Sequence, residues 1–149
     1  MGALIRNGWE IYFHRQLFGE QRRQLRERVK QLKTELPEAD YLFHPDVKLL
    51  AAVMVGIKEK IALDPIAAQF VLTGSLRRYG RMKGIGIPHR YRLFFRAFAS
   101  QDRQVIIVLW LGYPRKAGDK RDCYEVFTKM VGNGDFPDNL QELLIATNE

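Results

Sequence analysis

The stretch Arg90-Tyr-Arg-Leu-Phe-Phe-Arg-Ala-Phe98 decides the fold. Arg90, Arg92, Phe94, Arg96 and Phe98 fall on one parity, and Tyr91, Leu93, Phe95 and Ala97 on the other. Successive side chains of a strand point to opposite faces, so the stretch predicts a β-strand with one cationic face and one core face. Gln104 to Leu111 (QVIIVLWL) is apolar on both parities, which predicts a central strand buried on both faces. Ser100-Gln101-Asp102-Arg103 between them predicts a turn that makes the pair a hairpin. Gly112-Tyr113-Pro114 breaks the second strand. Arg78 to Lys83 reads as a preceding strand with Arg81 and Lys83 on a shared face, and Gly84 to His89 reads as a flexible loop.

Upstream, the period lengthens to that of a helix. Phe18, Leu25, Val29, Leu32 and Leu36 recur at spacings of seven, four, three and four, one stripe of a helix from about Gln16 to Leu36. The opposite face carries Arg22, Arg23, Arg26, Arg28, Lys30 and Lys33, and Pro37 marks the end. A second helix is predicted from Pro45, with Asp46 favourable to the dipole and Val47, Leu50, Met54, Ile57 and Ile61 on one stripe. The short connection Pro37 to His44 predicts an antiparallel helical hairpin packed on the sheet. Downstream, a helix from about Lys120 to Val131 places Tyr124, Phe127 and Val131 together, Gly132-Asn133-Gly134 stops it, and Leu140 to Ala146 adds a short helix. The order helix, helix, strands, helix predicts an α+β fold with helices on one side of a mostly antiparallel sheet. No repeat or linker-like run interrupts it, so residues 1–149 are expected to form one domain.

The bulk properties point to an anionic partner. Lys and Arg number 24 against 17 Asp and Glu, a formal charge of +7 with a pI near 9.7. Basic surface gains affinity for nucleic acid by releasing counterions, although an acidic protein or a membrane surface would also suit the excess. The longest apolar runs, Leu49–Ile57 and Val105–Leu111, are too short to span a bilayer. The start of the chain lacks the apolar run of a signal peptide, so a soluble cytoplasmic protein with no membrane partner is expected. Cys123 is the only cysteine, which precludes an internal disulfide and suits a reducing compartment. It reads as a core or helix residue rather than a nucleophile.

No carboxylate occurs from Pro65 to Gln101, where Arg77, Arg78, Arg81, Lys83, Arg90, Arg92 and Arg96 stand. If the strands pair, one sheet face is paved with cations interleaved with aromatics. Guanidinium groups fork onto phosphates and aromatic rings stack on unpaired bases, so RNA is the expected ligand. A solvated face whose cations merely protect a sheet edge is the alternative, but like charges across strands repel unless an anion sits there. His14, His44 and His89 lie far apart with no ligand spacing around them, so neither a metal nor a cofactor is expected. RNA carries its own nucleophile, the ribose 2′-hydroxyl. Cutting it needs a base, an acid and positive charge around the phosphorane, and fixed Arg and Lys donors supply the last.

At these residues the chain resembles the YhaV-type toxins of bacterial toxin–antitoxin systems, a branch of the RelE superfamily. The matching pieces are Asn7-Gly8-Trp9 with Tyr12 and His14, Lys48-Leu49-Leu50-Ala51, and Arg81-Met82-Lys83. They continue with Arg90-Tyr91-Arg92-Leu93-Phe94-Phe95-Arg96, Val105-Ile106-Ile107, and Asp122-Cys123-Tyr124-Glu125-Val126-Phe127-Thr128-Lys129-Met130. The resemblance implies a RelE-like fold and a metal-independent endoribonuclease that cleaves mRNA. It also implies a PrlF-type antitoxin with an AbrB-like DNA-binding part, with operator DNA bound only through that complex. Carried over by position, the catalytic set is Arg81, Lys83, Arg92 and Tyr124, with a later basic residue taken as Arg121 or Lys120. Arg115 and Lys116 precede an apparent loop and are passed over. Arg is a poor base because it stays protonated, which favours Lys83 for that role. Arg77, Arg78, Arg90, Arg96 and Lys120 are then expected to grip RNA. Two alternatives stay open: a binding module that cuts nothing, and a gyrase poison on the same fold.

Overall fold

The computed structural model describes residues 4–147. Strands β1 (Leu4–Arg6) and β2 (Trp9–Phe13) form an N-terminal hairpin that is not among the predicted elements. The local signal is Asn7-Gly8, whose φ values of 52° and 81° put both residues in the left-handed region that a two-residue hairpin turn needs. A π-turn over Arg15–Gly19 leads into helix α1 (Glu20–Glu35). Pro37 opens a short helix, α2 (Glu38–Phe43), where a plain connection is expected. Helix α3 (Pro45–Val55) starts with Pro45 in its first turn and His44 Nδ1 accepting from the Asp46 amide, and a π-turn carries it on to Ile61. The predicted helical hairpin is therefore present. The most buried line runs through Leu49 and Val53 of α3 and on through Ile57 and Ile61, so the predicted stripe holds at Ile57 and Ile61 but is one residue off in α3, where Val47, Leu50 and Met54 are half-buried.

Strand β3 (Gly80–Met82) is shorter than predicted, and Arg77 and Arg78 lie in the turn before it. Strands β4 (Arg92–Ala99) and β5 (Gln104–Gly112) form the expected antiparallel hairpin, with a register shift at Phe94/Phe95. The sheet order is β1-β2-β5-β4-β3, and only the β2–β5 pair is parallel. Helices α4 (Cys123–Gly132) and α5 (Leu140–Ile145) complete the described chain. This α+β arrangement is consistent with a RelE-like fold.

Both faces of the sheet are covered, which corrects the expectation of helices on one side. Leu93, Phe95, Ile106 and Val108 pack with Leu49, Val53 and Ile57 on one face. Gly56 sits so close to Met82 of β3 that any side chain there would collide with the methionine sulfur. Phe94, Val105, Ile107 and Leu109 pack with Phe127, Phe136 and Leu143 on the other. Phe94 stacks on Phe127 of α4 at 4.1 Å between centroids. The alternation read in Arg90 to Phe98 is thus correct about sides from Arg92 onward, but Arg90 falls outside the strand and the cationic side is half roofed by α4. Among the described residues no helix is long and apolar enough to cross a membrane.

Candidate functional site

The site forms where the start of β4, the end of β5 and the N-terminus of α4 meet. Asp122 organises it. Its carboxylate is buried, accepts from the Tyr124 amide at 3.1 Å as the cap of α4, and accepts from the Lys116 amide at 2.5 Å. It also pairs with Arg115 Nη1 at 2.7 Å. Burial pushes the Asp122 carboxyl up, but the Lys116 amide and the Arg115 guanidinium outweigh it and hold the group below its usual range. Two backbone bonds tie this loop to the turn before β4 and to α4, from the Arg115 amide to the Arg90 carbonyl and from the Cys123 amide to the Pro114 carbonyl.

This scaffold presents Tyr124 between two guanidiniums. Arg92 Nε donates to the Tyr124 hydroxyl at 3.3 Å, and the Arg115 guanidinium lies over the ring, 5.0 Å from its centroid. The ring edge rests on Phe94 at 5.5 Å. Arg92 is itself buried, and its Nη1 donates to the His89 and Tyr91 carbonyls at 2.9 and 2.8 Å. It therefore braces the turn before β4 as well as facing Tyr124. Arg81 pairs in register with Phe94, so its side chain stands on the same face, and its buried Nε has no hydrogen-bond partner. Lys83 is exposed and lies one residue past the end of β3, where continued pairing would set it opposite Arg92.

The other predicted cations divide. Arg90 lies in the turn rather than in the strand, and its guanidinium covers Tyr113 at 5.2 Å. Arg96 stands four residues beyond Arg92, about 13 Å along the strand. It is buried, lies over Phe98 at 4.4 Å, and pairs with Asp138 at 2.5 Å. Arg78 pairs with the same Asp138. An acid missing from the local sequence is thus supplied from 42 residues beyond Arg96 and 60 beyond Arg78, and one carboxylate shared by two guanidiniums leaves the trio a single net positive charge. Arg77 and Lys120 are exposed. Arg121 is also exposed, and its amide and Nε turn to Asp119. The Arg121 amide and then its guanidinium hold the Asp119 carboxyl at about 2.

Arg115, passed over in the sequence, is the loop cation that geometry brings over Tyr124, while Arg121 turns to Asp119. The usable signal was Asp122, an N-cap residue two before Tyr124 that could also anchor a cation from the preceding loop. Cys123 is fully buried, and burial pushes its thiol up, away from the reactive thiolate form. No group of three or more His, Cys, Asp or Glu stands together at metal-binding distance among the described residues.

Comparison with known proteins gives a consistent picture. Residues 12–148 match the model of a family described as a toxin with endonuclease activity, of a toxin–antitoxin system, Toxin_YhaV. The chain is 36% identical over 152 residues to Toxin YhaV of Escherichia coli O6:H1 strain CFT073. The same identity relates it to Ribonuclease toxin YhaV of Escherichia coli K12, and each alignment covers 96% of this chain and 94% of the relative. No solved structure matches.

Proposed function

Because the chain belongs to the YhaV family of toxins with endonuclease activity from toxin–antitoxin systems, we propose that it is an endoribonuclease that cuts mRNA by attack of the ribose 2′-hydroxyl, with no metal ion. The observation that carries this reading is the Tyr124 hydroxyl held on Arg92, with Arg115 over its ring and Arg81 on the same sheet face. In the proposed step the 2′-oxygen bonds to the adjacent phosphorus and the bond to the 5′-oxygen breaks. The 2′ proton passes to a base, and a proton reaches the leaving 5′-oxygen. The products are a 2′,3′-cyclic phosphate and a 5′-hydroxyl. Arg81, Arg92 and Arg115 neutralise the charge that gathers on the phosphorane, where preorganised donors act most strongly. Guanidiniums stay protonated, so Lys83 and Tyr124 are the two groups at this rim suited to moving protons.

The reading extends to partners and place. The toxin acts in the cytoplasm and is held by a PrlF-type antitoxin with an AbrB-like DNA-binding part, and it meets operator DNA only in that complex. A labelled RNA incubated with the purified protein in excess EDTA tests the chemistry, together with Tyr124→Phe. That variant keeps the ring against Phe94 and removes only the hydroxyl. Cleavage in EDTA to cyclic phosphate ends, and a rate at least about 100-fold lower for Tyr124→Phe, are expected. Strict dependence on magnesium would sink the mechanism, and an undiminished variant would remove the hydroxyl from it.

A further inference from the structure

The proposed cutting site leaves a second strongly basic surface unexplained, on the outer face of α1. A groove of about 420 Å³ is lined by Arg15, Arg22, Arg23, Arg26 and Lys30 together with Glu20 and Glu27. Both carboxylates are already engaged, Glu20 with Arg23 at 2.5 Å and Glu27 with Lys30 at 3.9 Å. Arg15, Arg22 and Arg26 take part in none of the ion pairs found among the described residues. Arg22 lies over the Phe13 ring at 5.0 Å, and its buried Nε has no hydrogen-bond partner. Burial, then the charge of Arg26, makes the Arg22 guanidinium harder to keep protonated. An anion bridging the two would relieve both penalties.

Spacing and composition identify the anion. Arg22, Arg26 and Lys30 follow one another at four and four along α1, and Arg15 in the preceding π-turn lines the same groove. At about 1.5 Å per residue the part on α1 alone is roughly 12 Å long. Its cations repeat every turn or two, as a charged polymer requires and a single small anion does not. An acidic protein segment would need apolar surface at the centre of its interface, and this groove is lined by charged side chains and Gly19 alone. We propose that the α1 groove binds the phosphate backbone of single-stranded RNA, away from the cutting site, with Arg15, Arg22 and Arg26 as the contacting residues. From the function proposed above it takes only that the ligand is RNA.

The test measures binding of a 2′-O-methyl RNA 20-mer, which cannot be cut, by fluorescence anisotropy from 0.1 to 1 M salt. It uses the full chain, the variant Arg15→Gln/Arg22→Gln/Arg26→Gln, and the milder Arg15→Gln/Arg26→Gln, whose two positions are both exposed. Each phosphate contact to a single strand contributes about 0.7 to the slope of log affinity against log salt. The triple variant should therefore lose about 2 from the slope. With affinities converging at 1 M, that is about 100-fold weaker binding at 0.1 M. The double variant should lose about 1.4. Cleavage of a tetranucleotide too short to span both surfaces should be unchanged in either variant. Unchanged salt slopes in a folded double variant would overturn the proposal. So would loss of binding to a poly-glutamate peptide with RNA binding intact, which would make the groove a protein-docking site. A wild type that binds the 20-mer but cuts no RNA would instead fail the proposed function and leave this test standing.

Discussion

Asp122 is the residue whose loss should do most to the site, and its effect can be worked from three contacts. Asp122→Ala removes the α4 cap, a loss of about 1 kcal/mol. It also removes the bonds to the Lys116 amide and to Arg115. Bonds to a charged group contribute roughly 1.5–3 kcal/mol each when buried. The Arg115 side chain is 34% exposed, so its share must be discounted for solvent. The total is about 3 kcal/mol, which at roughly 2–4 °C per kcal/mol predicts a fall in Tm of about 6–12 °C. Asp122→Asn keeps an oxygen for the Tyr124 amide but turns its NH2 donor toward the Lys116 amide and Arg115, which are donors too, so it should cost nearly as much, about 2–3 kcal/mol. The folded carboxyl is depressed, so its contribution is full above the unfolded value near 3.9 and is lost as pH falls through the lower folded value. The gap between parent and Asp122→Ala should therefore be constant above about pH 5 and close below about pH 4. Thermal melting followed by circular dichroism from pH 3 to 8, with RNA cleavage measured in parallel, is the assay. Both variants should cut at least about 10-fold more slowly, because Arg115 is freed from its place over Tyr124. An Asp122→Ala protein that melts within about 1 °C of the parent would refute the reasoning, as would one that cuts at the full rate.

Two further outcomes follow from the same geometry. Arg115→Ala should lower RNA cleavage by about 10- to 100-fold while Arg121→Ala stays within about 2-fold, and the reverse order in a side-by-side assay would restore Arg121 to the site. His14 is buried, and burial first, then Arg15, lowers its pKa, so the folded state resists a proton that the unfolded chain accepts below about 6.5. Stability should fall as pH drops below about 6.5 toward the lowered folded value, and His14→Gln should flatten that limb of the urea-midpoint profile; parallel profiles would show that His14 does not contribute.

Much of the architecture was legible in periodicity because the signals are local. The α1 stripe, the Pro45 start of α3, the β4–β5 hairpin and the side each residue of Arg92 to Phe98 would take all depend on neighbours a few positions away. Asn7-Gly8 was equally local, and the β1–β2 hairpin could have been read from it.

What covers each face is a different kind of fact. Alternation sorted Arg92, Phe94 and Arg96 onto one side of β4, but the stacking of Phe127 on Phe94 depends on where α4 docks, more than thirty residues later. The acid-free run from Pro65 to Gln101 correctly marked the basic strands, yet its charge was not all free. Asp138 takes Arg78 and Arg96, and Asp122 recruits Arg115 to Tyr124. By itself the sequence determined which residues share a strand face or helix stripe, and that the chain is basic, since these follow from backbone geometry and composition. Only the tertiary structure decided which cations keep their charge available, because an ion pair between distant segments forms only when packing brings the partners within a few ångströms.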